Sequence, residues 1–93
     1  MIEHESVLLF KDYGKINIKL KQIMEEQGIS RNRLSTKIGT KFEVVNKWYY
    51  NKVEKMDLDV LARLCFVLKC KVDDIIEYTP IEEKVTEKTE ELV

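Results

Sequence analysis

Two glycines eleven residues apart, Gly28 and Gly39, constrain the fold of this chain more than any other feature. Each ends a stretch with helical apolar spacing, and glycine leaves a helix through the left-handed backbone region without steric cost. Before Gly28, the segment IKLKQIMEEQ places Leu20, Ile23, Met24 and Gln27 on one stripe, with Asn17 positioned to cap it. Between the glycines, Ser30 is the natural cap of RNRLSTKI, where Leu34 and Ile38 share a face. After Gly39 the apolar period resumes at Val45 and Trp48 with only one or two residues of slack. The next helix must therefore leave at a steep angle, which makes the pair a helix-turn-helix.

The rest of the chain reads as more helix. Asp57 and Asp59 open a fourth segment carrying Leu58, Leu61, Leu64, Cys65 and Leu68, and Val72, Ile75 and Ile76 mark a brief fifth. Ninety-three residues suffice for one core, and the composition, with only three Gly and one Pro, is that of a helix former. The expected fold is all-α, a compact five-helix bundle over residues 16–78. Residues 1–15, with the apolar stretch SVLLF, are expected to form an arm or strand. Residues 79–93 are expected to form an acidic tail: Thr79, Pro80 and Glu82 resemble a capping box, but Ile81, Val85 and Leu92 are too sparse an apolar face to hold a helix.

Several functional classes are disfavoured. No apolar run approaches the roughly 20 residues of a membrane span and no basic leader precedes SVLLF, so a cytoplasmic protein without membrane contact is expected. The single histidine, His4, lies near the terminus, and there is no Gly-rich phosphate loop, so neither an enzyme nor a cofactor or small-molecule site is indicated. Two cysteines and one distant histidine cannot complete a tetrahedral zinc site, so no metal is expected. Cys65 and Cys70 are read as buried, reduced thiols, because a continuous helix would point them in different directions. The charge is uneven: eleven Lys/Arg face five Asp/Glu between Lys11 and Lys55, whereas five face ten from Asp57 onward. A polyanion would be steered to the basic middle.

From Ile18 to Tyr78 the chain resembles the helix-turn-helix family of phage repressors and Cro-like regulators, the XRE family, whose fold is that of the lambda-repressor-like DNA-binding domain. The resemblance is carried by EEQGISRNRLSTKIGTKFEVVNKWYYNK, with Gly28, Ser30, Leu34 followed by small Ser35, Ile38, Gly39, Val45 and Trp48 in order, and by DLDVLARLCFVLKCKVDDIIEY. It implies sequence-specific binding of double-stranded operator DNA to regulate transcription, as a homodimer; the expected regulator represses or otherwise regulates its target. It also implies that Phe42, Glu43 and Lys47 reach bases and that Arg31 grips the phosphate backbone. The chain departs from the pattern in two places. Lys41 replaces the usual Ser or Thr cap of the third helix, with Thr40 immediately before it as an alternative that would shift the cap by one residue, and no Gly follows that helix, so Asn51 is expected to take the left-handed conformation.

Helical geometry sorts the residues of the third helix, expected over 41–51. With Val45 inward, about 100° per residue brings Trp48 and Tyr49 to the same side and sends Glu43, Asn46, Lys47 and Tyr50 to the other. On that outer side Lys47 can donate to guanine O6 and N7, Asn46 can pair with adenine, and Glu43 can accept from cytosine N4. Phe42 lies between the faces and suits either a thymine methyl or packing. Lys41, Tyr50, Asn51 and Lys52 flank the helix as further backbone contacts. The rival reading is a protein-binding module of the same fold, an antitoxin-like or anti-repressor partner. The dimer interface would lie on Ile75, Ile76 and Tyr78 or on the SVLLF arm.

Overall fold

The computed structural model describes residues 13–80; the SVLLF arm and the tail beyond Pro80 lie outside them. Five helices and two short strands follow in order: β1 (Lys15–Ile18), α1 (Leu20–Gln27), α2 (Arg31–Ile38), α3 (Phe42–Tyr49), α4 (Leu58–Leu68), α5 (Val72–Ile75) and β2 (Ile76–Thr79). The five-helix expectation holds, but the all-α class does not, because β1 and β2 pair into a two-stranded sheet.

That sheet corrects both ends of the bundle. Asn17 lies in β1 and does not cap α1; Lys19 occupies the cap position without a side-chain bond, and its N–H donates to Ile75 O at 2.6 Å. Ile18 instead ends the strand buried in the core, which commits the residues before it to extended backbone. At the other end α5 stops at Ile75, and Ile76 is already strand. Ile75 is 0% exposed, so it belongs to the core and cannot serve a subunit interface.

The helix punctuation follows the sequence closely. Gly28 and Gly39 have φ of 66° and 72°, and the Ser30 hydroxyl oxygen accepts the Arg33 N–H at 3.1 Å. Two long polar side chains complete helix ends by satisfying terminal carbonyls. The Arg63 guanidinium donates to Ile38 O at 2.8 Å and pairs with Asp59 at 2.9 Å, closing α2 with positive charge at its negative pole. Gln27, expected on the apolar stripe of α1, sends its amide to Leu68 O at 2.9 Å and closes α4.

The core is built from one face of each helix: Leu20 and Met24, Leu34 and Ile38, Val45 and Trp48, and on α4 Val60, Leu61, Leu64 and Leu68. Leu58 was expected on that last face, yet it is 73% exposed. It stands about 120° from Leu64 around the helix, and Val60 takes the inward place. Ser35 is buried, and its hydroxyl donates to Asn32 O at 2.8 Å. These contacts lie in the compact unit Asn17–Glu77. The described residues 13–16 and 78–80 fall in a second unit, where the Tyr78 hydroxyl donates to Tyr13 O at 2.8 Å. There Gly14, at φ 87°, leaves no room for a side chain, since a Cβ would strike Thr79 O and the Tyr78 hydroxyl.

Cys65 and Cys70 are both free thiols, as expected, but their placement and burial differ from expectation. Lys69 turns left-handed (φ 54°) after α4, and the Cys70 N–H returns to Cys65 O at 3.1 Å, so the two thiols share the helix end and are only half buried. Desolvation, reinforced by Cys65 and Asp74, pushes the Cys70 thiol pKa up, leaving little nucleophilic thiolate at neutral pH.

Candidate nucleic-acid interface

The third helix presents the two faces that its spacing dictates. Val45 and Trp48 are buried, Trp48 to 3% exposure, while Glu43, Lys47 and Tyr50 face outward. The helix itself runs only from Phe42 to Tyr49, inside the expected 41–51. Lys41 is its N-cap and provides no side-chain bond; Thr40 does not take over, its hydroxyl donating instead to Lys41 O at 3.3 Å. With no side-chain cap, Glu43 in the first turn and Lys47 in the last complement the helix dipole. Each therefore has a structural role besides any contact with a partner.

The arrangement that sequence reasoning missed is centred on Arg31. Its guanidinium donates to Asn46 Oδ1 and, at 3.3 Å, to the Tyr50 hydroxyl. It also lies over three rings, with 4.8 Å to the centroid of Tyr49, 5.4 Å to Tyr50 and 5.6 Å to Phe42. Tyr49 and Tyr50 meet edge to face at 5.0 Å, and Lys21 lies 5.8 Å from the Tyr49 ring. Four of the residues expected to contact DNA, Arg31, Phe42, Asn46 and Tyr50, thus form one cluster spanning the N-terminus of α2 and both ends of α3. Asn46 is half buried, with its carbonyl oxygen engaged by Arg31, and Phe42 is 38% exposed against the same guanidinium. No local periodicity signals this, because the partners are drawn from opposite sides of the turn. The available cue was compositional: one arginine at a helix start, followed across the turn by four aromatic residues, of which Phe42, Tyr49 and Tyr50 meet it.

Asn51 adopts the left-handed backbone expected of it, with φ 58°. Its side chain works inside the protein: Oδ1 accepts the Ile18 N–H at 2.9 Å, and Nδ2 donates to Asn17 Oδ1 at 3.2 Å. The end of α3 is thereby tied to β1. Asn51→Ala is expected to destabilise the fold by about 2–3 kcal/mol, combining left-handed strain with an Ile18 N–H left without its acceptor. Asn51→Gly should incur only the second cost, because glycine tolerates the left-handed backbone. Chemical denaturation of the two variants separates the effects, and equal midpoints would refute the division. Lys41 and Lys52 are exposed at the two ends of the helix, leaving their ammonium groups open to solvent.

Among the described residues no group of three or more His, Cys, Asp or Glu could hold a metal ion, and no helix is long and apolar enough to cross a membrane.

A tight bihelical turn, a tryptophan-anchored second helix and a cationic rim define a helix-turn-helix DNA-binding domain. The profile of the Cro/C1-type HTH DNA-binding domain matches residues 19–80, and the chain belongs to that family. Among solved structures, the transcriptional regulator VanUg superposes with a TM-score of 0.62 at 24% identity, over 78% of this chain and 96% of its own. A Bacteroides fragilis protein provisionally described as DNA-binding superposes with a TM-score of 0.60 at 19% identity, over 68% of this chain and 100% of its own. At such identities these structures share the fold. No curated protein sequence matches the chain.

Proposed function

We propose that the chain is a sequence-specific transcriptional regulator, a repressor, that binds operator DNA as a two-fold dimer and reads the major groove with α3. The observation that carries this reading is the division of α3: Val45 and Trp48 fix one face in the core, while Glu43 and Lys47 stand exposed on the other. A neighbour of the same fold that is a transcriptional regulator supports it. Lys47 and Glu43 read bases directly, Asn46 reads from within the Arg31 cluster, and Phe42 offers its ring edge to a thymine methyl. Arg31, Lys41, Tyr50 and Lys52 hold phosphates, and Asn51 contributes by setting the chain's path rather than by contact. A two-fold pair would place two such helices about 34 Å apart, in successive major grooves.

The test is salt dependence. With about three phosphates neutralised per protomer, by Arg31, Lys41 and Lys52, affinity for mixed duplex DNA should fall by roughly 40-fold per protomer between 50 and 200 mM salt. A protein-only module would not retain duplex even in dilute buffer. Selecting bound sites from a randomised duplex pool then tests the base assignment. Lys47→Ala and Asn46→Ala should each relax preference at one position by about 1–3 kcal/mol, and an unchanged motif would remove both residues from the reading set.

A further inference from the structure

The unexplained surface is on α4. Leu58, Ala62 and Phe66 recur at intervals of four along the side opposite the core, and Leu58 and Phe66 are 73% and 83% exposed. A soluble domain gains nothing from presenting a phenylalanine and a leucine in one row to water. This row takes no part in the α3 face, and it stands as an alternative to the interfaces expected on Ile75, Ile76 and Tyr78, of which Ile75 is buried, or on the SVLLF arm. Its charges are segregated. Asp57 and Asp59 lie at the Leu58 end, whereas Lys37, Lys69 and Lys71 surround Phe66 and its neighbours at the other. Asp59 is partly neutralised by Arg63, and Asp74 stands beside Lys71, whose N–H donates to it, yet the contrast between the two ends survives.

We infer that Leu58, Ala62 and Phe66 of α4 form a self-complementary docking row for a second copy of this chain, packed antiparallel about a two-fold axis near Ala62. Rows spaced by four interdigitate with their own kind at a crossing of about 50°, a geometry a two-fold axis permits. The small Ala62 lets the two helices approach, and each Phe66 falls beside the partner's Leu58 end. Of the two directions in which the helices can run, only the antiparallel one sets the lysine end of each copy against the acidic end of the other, and it also opposes their dipoles. A contact of one short helix per protomer is small, so the dimer should be concentration-dependent rather than obligate.

This rests on the two-fold reading of the proposed function, and the measurements are chosen to separate the two. Sedimentation of the full chain should show a monomer–dimer equilibrium. Phe66→Ser should raise its dissociation constant about 10-fold or more, and Ala62→Glu should abolish dimers in the accessible range. Both substitutions are at exposed helical positions, and circular dichroism should report an unchanged helix content. Leu8→Ser with Leu9→Ser, in the SVLLF arm, should leave the equilibrium as it is. A wild-type chain that stays monomeric at every concentration overturns both the dimer and its interface. A dimer that survives Phe66→Ser and Ala62→Glu, or that dissociates only with the arm substitutions, overturns the α4 row alone. The DNA reading is scored independently: folded Phe66→Ser protein should still bind a duplex carrying one half-site as tightly as wild type, while losing at least about 10-fold on the full palindrome.

Discussion

Trp48→Ala is expected to lower the unfolding free energy by about 3–5 kcal/mol, the cost of deleting a buried aromatic side chain. A chain of this length should hold roughly 5–14 kcal/mol in all, so the loss is a large share of the total. The melting temperature should fall by more than about 12 °C. The residue is 3% exposed in the same cluster as Leu34 and Ile38, and it is one of only two buried side chains of α3. A cavity there would remove the packing that sets the orientation of the outward face. Urea titration followed by far-ultraviolet circular dichroism is the suitable measurement, since the intrinsic fluorophore is the group removed. Lys47→Ala is the control: it should change stability by no more than about 0.5 kcal/mol while altering sequence preference. An unshifted Trp48→Ala midpoint would mean that α3 is not anchored through this side chain.

Arg31→Ala should weaken duplex binding at low salt by roughly 10- to 100-fold, the range expected when a charge-assisted hydrogen bond to phosphate disappears along with the Asn46 orientation that the guanidinium supports. The slope of log affinity against log salt should become shallower by about one. The stability cost should be smaller, about 1 kcal/mol, because cation–π contacts at a half-exposed site are modest. Arg31→Lys separates charge from shape. It keeps the positive charge and hence the salt slope, but an ammonium cannot lie flat against Phe42, Tyr49 and Tyr50 while donating to Asn46. If Arg31→Ala left both affinity and slope untouched, the cluster would be purely structural and Arg31 would leave the phosphate set.

Local chemistry explains which features could be read from the chain. Gly28, Gly39 and Ser30 announce helix ends within a few residues, and Val45 with Trp48 defines the inward side of α3 by periodicity alone. The sheet was not legible, because KINI and IEYT are four-residue strands whose pairing depends on partners some sixty positions apart, and Asn17 before an apolar stripe imitates a cap. Leu58 was misplaced because a cap followed by leucine looks like the start of a buried face, although its angular position puts it outside. The Arg31 cluster and the Arg63 and Gln27 caps were also hidden: each joins residues far apart in the chain, where no repeat length applies. Side-chain reach, rather than propensity, decides such contacts.

The Asn51 tie has a chemical corollary. Carboxamides are among the less durable side chains of proteins, and this one has a donor and an acceptor that are not interchangeable. Hydrolysis to aspartate would keep an oxygen for the Ile18 amide but would replace the donor facing the Asn17 carbonyl oxygen with a second acceptor. An aged or heated preparation would therefore carry molecules whose strand and helix end repel where they once joined, a change of about one mass unit traceable to a single peptide.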